Sequence, residues 1–372
     1  MRFQFPAWLG LVCVCGFVSC ETKEVNPVTG PTQISLNAPD YFPSNIAMPA
    51  NNPLTEEGVQ LGRRLFYEKK LSADGTISCG SCHQQQKAFS DGNQFSFGVN
   101  DSIGDMNAMS LSNLHWQNRF FWNGRASSLE EQAVQPIEDQ REMNLPIEEA
   151  IARLQADSAY PGLFELAFGT DEITPELIGK AIAQFERTLI SANSKFDAWI
   201  RNEVELSPEE KLGMELFFTH PDPRLQLRGG NCSDCHLGFL TAGDPNGFTG
   251  FHNNGLDADE NLASGLMSVT KNPFDKGKFK APGLRNIALT APYMHDGRFQ
   301  TLEEVLDHYN DHIQNSSTLD VLILEASNEL PDGSDAVKLH LSEQEKKAII
   351  AFLNTLTDEQ FITNPKFSDP FN

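Results

Sequence analysis

The chain carries one five-residue pattern twice, as Cys79-Gly80-Ser81-Cys82-His83 and as Cys232-Ser233-Asp234-Cys235-His236. Two thiols separated by two residues, with an imidazole immediately after, are spaced to fix both vinyl groups of a haem as thioethers while the histidine reaches the iron. A flat apolar macrocycle must be wrapped in apolar chain, so two such motifs call for two haem-sized cores. Two competing readings are weaker. A four-cysteine zinc site normally has its Cys pairs much closer together and needs no trailing histidines. Two disulfides would leave both histidines without a purpose. Covalent c-type haem at each motif is the expectation, with His83 and His236 as proximal ligands.

The surroundings of the two motifs repeat as well. "EEGVQLGRRLF" (56–66) precedes the first and "EEKLGMELFF" (209–218) the second, so that Leu61, Gly62, Leu65 and Phe66 answer Leu212, Gly213, Leu216 and Phe217. Both read as amphipathic helices. Ser207, Pro208 and Glu210 supply a cap, a first-turn proline and a capping-box acid. Each half also closes alike, with "AIAQFERTL" (181–189) matching "AIIAFLNTL" (348–356) and "LSEQE" (341–345) capping the second copy. Two helices crossing over a haem resemble a cytochrome c fold. The fold class expected is therefore mainly α, with two cytochrome c-like domains and little sheet, because few stretches alternate apolar and polar residues.

The amino terminus, "MRFQFPAWLGLVCVCGFVSC", has one arginine, an apolar run from Phe5 to Val18 and small Ser19 before Cys20. It reads as a secretory signal, too short to span a bilayer as a stable helix. "FVSC" resembles a lipobox, which would make Cys20 the lipidated first residue of a periplasmic, membrane-anchored protein. The expected organisation is then a lipoprotein-type signal over 1–19 and a flexible tether over 20–50. An N-terminal haem domain over 51–203, a C-terminal haem domain over 204–362 and a tail over 363–372 complete it. Of seven cysteines, Cys13 and Cys15 leave with the signal and Cys20 carries lipid. The four motif cysteines remain. A net charge of −23 argues against nucleic acid or an anionic membrane surface as partner and suits a basic protein.

"LGRRLF", "CGSCH", "FFWNGRASSLEEQAVQPIEDQREMN", "CSDCH" and "APGLRNIALTAPYMHDGRFQTLEEVL" together resemble the bacterial dihaem cytochrome c peroxidase family, which includes the MauG-like enzymes, over nearly everything after residue 50. The resemblance implies a catalytic pair at Gln132 and Glu142. Glu142 would move a proton from one peroxide oxygen to the other so that water leaves, and an aromatic-lined pocket would raise its pKa by desolvation. It further implies an electron-relaying tryptophan between the haems at Trp122, and a calcium ion between them bound by Asn107, Thr290 and Pro292, a hard-cation set of neutral oxygens.

Two departures from well-studied peroxidases matter. Where many carry a histidine that must leave the first haem before peroxide binds, "FSFGVNDSIGDMN" offers Val99. His115 is the only histidine between His83 and Trp116, so the first haem is expected to be open without prior reduction. On the helix after the "HDG" turn, where such peroxidases place a methionine, Tyr309 stands, as in the MauG-like branch. A phenolate would lower that haem's potential. His308, His312, Met294 and Met267 stay open as alternatives. The loop 243–265, rich in Gly and Asp, reads as a surface excursion.

The leading expectation is a peroxidase that reduces hydrogen peroxide to water at the N-terminal haem. Its electrons would enter through the C-terminal haem from a small cytochrome c or cupredoxin. The alternatives are MauG-like oxidation of a protein or small-molecule substrate through high-valent haem, and a dihaem electron-transfer protein without turnover. Family members are often homodimers.

Overall fold

Residues 30–44, 48–236, 250–330 and 337–371 are described by the computed structural model, and nearly all of their regular structure is helical. In chain order the helices are α1 (Glu56–Phe66), α2 (Cys79–Cys82), α3 (Leu129–Glu138), α4 (Ile147–Ala156), α5 (Tyr160–Phe168), α6 (Pro175–Arg187) and α7 (Lys195–Ile200). They continue as α8 (Pro208–Phe218), α9 (Met267–Thr270), α10 (Leu302–Asp311), α11 (Val321–Leu324), α12 (Glu343–Asn354) and α13 (Glu359–Thr363). The only sheet among the described residues pairs β1 (Phe251–His252) with β2 (Phe279–Lys280), antiparallel, Phe251 facing Lys280. A mainly α chain was the expectation, and the described residues are mainly helical. The signal sequence and Cys20 lie outside the described residues.

The start signals read from the sequence operate locally. Thr55 caps α1 by accepting from the Gly58 amide, and acids in the first turn with Arg63 and Arg64 in the last complement the helix dipole. Ser207 with Glu210 and Ser342 with Glu345 form complete capping boxes at α8 and α12.

The internal repeat becomes two equivalent helix crossings, α1 on α6 and α8 on α12. A Cβ on Gly62 would stand 1.8 Å from the carbonyl oxygen of Ala181, and one on Gly213 would stand 1.8 Å from that of Ala348. Glycine at both positions lets backbone meet backbone, and the flanking residues pack on either side. Leu61, Leu65 and Phe66 meet Ile182 and Phe185 in the first core, and Leu216 and Phe217 meet Ile349 and Phe352 in the second. Phe361 of α13 and Phe367 beyond it join the first core, so the end of the chain returns to the first half.

Two expectations are corrected. Residues 31–44, read as part of a flexible tether, are packed. Phe42 is buried edge-on against Trp116, the Trp116 indole donates to the Pro43 carbonyl at 2.9 Å, and the Tyr41 hydroxyl donates to Asp197 at 2.9 Å. Two aromatics in this Pro-rich stretch give it apolar surface enough to dock. In the loop read as a surface excursion, the described part, residues 250–265, runs inward. Phe251 and Asn253 are buried, and Asn253 is held by Ser316 and Thr318 at 3.0 and 2.9 Å.

Gly213→Ala is expected to destabilise the haem-loaded protein by about 1–3 kcal/mol or more, since neither backbone can yield without parting the helices. Gly162→Ala in α5, where a Cβ would meet nothing within 4 Å, should be stabilising by about 0.5–1 kcal/mol. Denaturant unfolding of the two variants checks the pair.

Candidate functional site

Each Cys-His motif opens onto a cavity. The first, of about 350 Å³, is walled by Cys79, Cys82 and His83 together with Gln132, Glu142 and Trp122. In α2 the side chain of Ser81 closes a capping box with Ser78, fixing the short helix that presents both thiols. Ala88 and Phe89 are both left-handed, at φ of 51° and 62°, and this turn carries the chain back so that the Phe89 carbonyl lies 2.8 Å from His83 Nδ1. The second cavity, of about 210 Å³, is walled by Cys232, Cys235 and His236, and there the Pro282 carbonyl lies 3.0 Å from His236 Nδ1.

These residues fit two c-type haems. Nδ1 of each imidazole is committed to a carbonyl, which leaves Nε2 as the metal-binding nitrogen. Burial pulls both imidazoles down, His236 to about 4, so both rings are neutral and have a lone pair to give. None of the four motif cysteines is paired in a disulfide, so all four can form thioethers. Gln132 Oε1 and Glu186 Oε2 are buried at the wall of the first cavity without a hydrogen-bond partner, as expected where a further group belongs.

The wall of the first cavity carries the expected acid–base candidate. Val99 donates its amide to the Glu142 carbonyl at 2.8 Å, and a Cβ on Gly98 would stand 2.1 Å from the Arg141 carbonyl oxygen. The 98–99 segment therefore presses directly on the backbone that presents Glu142. Burial, with Asp139 adding to it against Arg125 and Arg141, pushes the Glu142 carboxyl up to about 7. Arg125 lies 3.3 Å from the Phe121 ring centroid and donates to Gln135 at 3.1 Å. Among the described lining residues the only histidine is His83; His115 packs edge-on against Trp116 and is not among them.

In the second cavity Asn254 donates both to the Tyr309 hydroxyl at 3.1 Å and to Met294 Sδ at 3.4 Å, and all three residues line the space. His308, His312 and Met267 do not line it. His308 instead bonds the Asn254 carbonyl through Nε2 at 3.0 Å, and burial draws its pKa down to about 4.

Trp122 lines both cavities, its indole donating to the Asn107 carbonyl at 2.8 Å. Asn107 also faces both, and Thr290 and Pro292 line the second. Among the described residues, Asn107 Oδ1 and the Thr290 and Pro292 carbonyls accept no hydrogen bond, so the three oxygens are free to bind a cation.

Several further groups on these walls escaped the sequence reading. Among them are Arg125, Lys280, which lines both cavities, and Glu186 of α6, whose carboxyl is raised to about 8 by burial, opposed by Arg187. Glu186 left a trace in the sequence, because "AIAQFER" follows an apolar-spaced run with two adjacent charges in the last turn of the helix. Lys280 and Arg125 left none, since a lysine in "DKGKFK" or an arginine in "WNGRAS" is usually solvated.

Comparison with known proteins agrees with this geometry. Residues 56–205 match the family described as di-haem cytochrome c peroxidase. The chain is 34% identical over 328 residues to the methylamine utilization protein MauG of Methylorubrum extorquens, covering 87% of this chain and 85% of that protein. It is also 34% identical over 340 residues to the cytochrome c551 peroxidase of Nitrosomonas europaea, covering 88% and 90%. A crystal structure of a MauG-like protein associated with microbial copper homeostasis superposes with a TM-score of 0.78 at 36% identity, over 91% of this chain and all of that one. The chain belongs to the di-haem cytochrome c peroxidase family of oxidoreductases, and that membership implies two c-type haems.

Proposed function

We propose that this protein reduces hydrogen peroxide to water in the cavity of His83, with electrons passed on from a haem in the cavity of His236, each half being a cytochrome c-like domain. The observation that carries the reading is Glu142, a largely buried carboxyl raised to about 7 on the wall of a cavity with no described histidine besides His83.

When bound, the haem of the first cavity supplies the redox-active iron at which peroxide is held. Turning one peroxide into two waters takes two electrons and two protons, and heterolysis of the O–O bond is favoured when the departing oxygen leaves as water rather than hydroxide. Glu142 in its ionised form takes the proton from one peroxide oxygen, then returns it to the other. A carboxyl titrating near the working pH does both at little cost. The unpartnered Gln132 Oε1 faces the same space and can accept a hydrogen bond that orients the peroxide. Arg125, a fixed positive charge on that wall, favours the ionised Glu142. Trp122, touching both cavities, is suited to pass electrons between them. The acidic surface suits a basic electron donor, a small cytochrome c or cupredoxin, whose encounter rate would fall with salt. A calcium ion on Asn107, Thr290 and Pro292, export to the periplasm and lipidation at Cys20 belong to the same proposal.

One specific observation favours a second reading, MauG-like oxidation of a protein or small-molecule substrate. Tyr309, held by Asn254, lines the second cavity, and a phenolate ligand stabilises the more oxidised states of an iron. Mixing oxidised protein with peroxide and a reduced donor separates the two readings. Steady donor oxidation supports the peroxidase, and long-lived oxidised absorption bands without donor turnover support the second.

Glu142→Gln should lower kcat for peroxide by about 10²–10⁴-fold with both haems retained. The unmodified enzyme should lose rate as pH falls through about 7, because the protonated carboxyl cannot accept the first proton. The variant should lack that limb, and stopped-flow rates across pH read both effects. Tyr309→Phe should raise the reduction potential of the second haem in a spectroelectrochemical titration and leave the first nearly unchanged.

A further inference from the structure

Lys280 ends β2, is only 5% exposed, and lines both cavities. Its backbone amide donates to the Trp122 carbonyl at 2.9 Å, which places it beside the tryptophan in the shared wall. Its ammonium donates to the Gln117 side-chain oxygen and to the Arg119 carbonyl, and lies 5.3 Å from the Phe120 ring centroid. Both acceptors are neutral. Among the described residues no carboxylate pairs with it, although the chain carries 51 acidic side chains. Burial alone pulls its pKa down to about 7, with no charge of the chain restoring it. An ammonium taken out of water without a counter-anion is strongly disfavoured, and it has three N–H donors for two acceptors.

We propose that Lys280 is a binding residue for a carboxylate of the haem in the first cavity. Covalent attachment decides which edge of the ring arrives there. The vinyl groups sit on the pyrrole rings opposite the pair that bears the two propionates, so fixing the vinyls to Cys79 and Cys82 sends the carboxylates to the side away from those cysteines. The shared wall, with Asn107, Met109, Trp122 and Lys280, contains none of the four motif cysteines. The ammonium leans to the first cavity, because Gln117 and Phe120 line that cavity and not the second. A carboxylate there would complete the ammonium's third bond and pair its charge, and the pair would lie beside Trp122. A positive charge at the ring edge stabilises the reduced iron. Lys280 thereby holds the first haem's potential up, on the path by which electrons would reach it.

The proposal rests on two attached haems, and the experiment separates its failure from failure of that reading. Haem content by the pyridine haemochrome assay and both reduction potentials by spectroelectrochemistry are measured for the holoenzyme, Lys280→Met and Lys280→Arg. Two haems per chain are expected in all three. Lys280→Met should favour oxidation of the first haem about tenfold, a fall of about 59 mV for a one-electron couple, with a smaller change at the second. Lys280→Arg, which keeps the charge, should stay close to the unmodified protein. With two haems present, an unchanged first potential in Lys280→Met overturns the proposal. So does an equal fall in both variants, which would make the residue's role one of shape, or a fall confined to the second haem. Fewer than two haems in the unmodified protein overturns the reading beneath it.

Discussion

The contact on which this architecture depends is a pair of helix crossings so close that only a glycine hydrogen separates one backbone from the other. Gly62 on Ala181 and Gly213 on Ala348 are the same event in two halves of one repeat. Around each contact the larger side chains, Phe66 with Phe185 and Phe217 with Phe352, build an apolar core. The crossing helices also reach the cavities: Ile182 and Glu186 of α6 line the first, and Phe217 of α8 with Ile349 and Leu353 of α12 line the second.

Burial then sets the chemistry. The same desolvation acts on groups of opposite sign around the first cavity, raising the carboxyls of Glu142 and Glu186 and lowering Lys280 and His83. All four shifts favour the neutral form. The consequences differ with the company each group keeps. His83, neutral and bonded through Nδ1, can give a lone pair to a metal. Glu142, with Arg125 and Arg141 partly offsetting its burial, is left balanced between its two states. Lys280 has no such compensation inside the chain, and Glu186 has only that of Arg187 while its Oε2 goes without a hydrogen-bond partner, which suits groups whose partners arrive with the cofactor.

Much of this was legible in the residues. The doubled Cys-His motif named the cofactor chemistry, and the doubled glycine-leucine-phenylalanine and alanine-isoleucine-phenylalanine helices predicted which segments would cross. Helical periodicity and capping boxes are local signals, and here tertiary packing reinforced them. What could not be read were features made by long-range contact. Phe42 reached Trp116, and the 250–265 segment turned inward through Asn253 and Asn254, although both stretches have the composition of loops. The wall shared by the cavities assembles Asn107, Trp122 and Lys280 from distant parts of the chain, and no spacing rule brings such residues together. Glu142 and Trp122 were found by resemblance, since neither has a pattern of its own.

In the proposed function one iron has a vacant face beside Glu142 while the other is closed by a side chain in the Tyr309 and Asn254 corner. Low-temperature EPR of the fully oxidised, matured protein reads this directly, because a ferric haem with a weak or missing sixth ligand is high-spin and one with two strong protein ligands is low-spin. The result predicted is one signal of each kind in equal amounts. Two low-spin signals, from two irons each held on both faces by the chain, would contradict it.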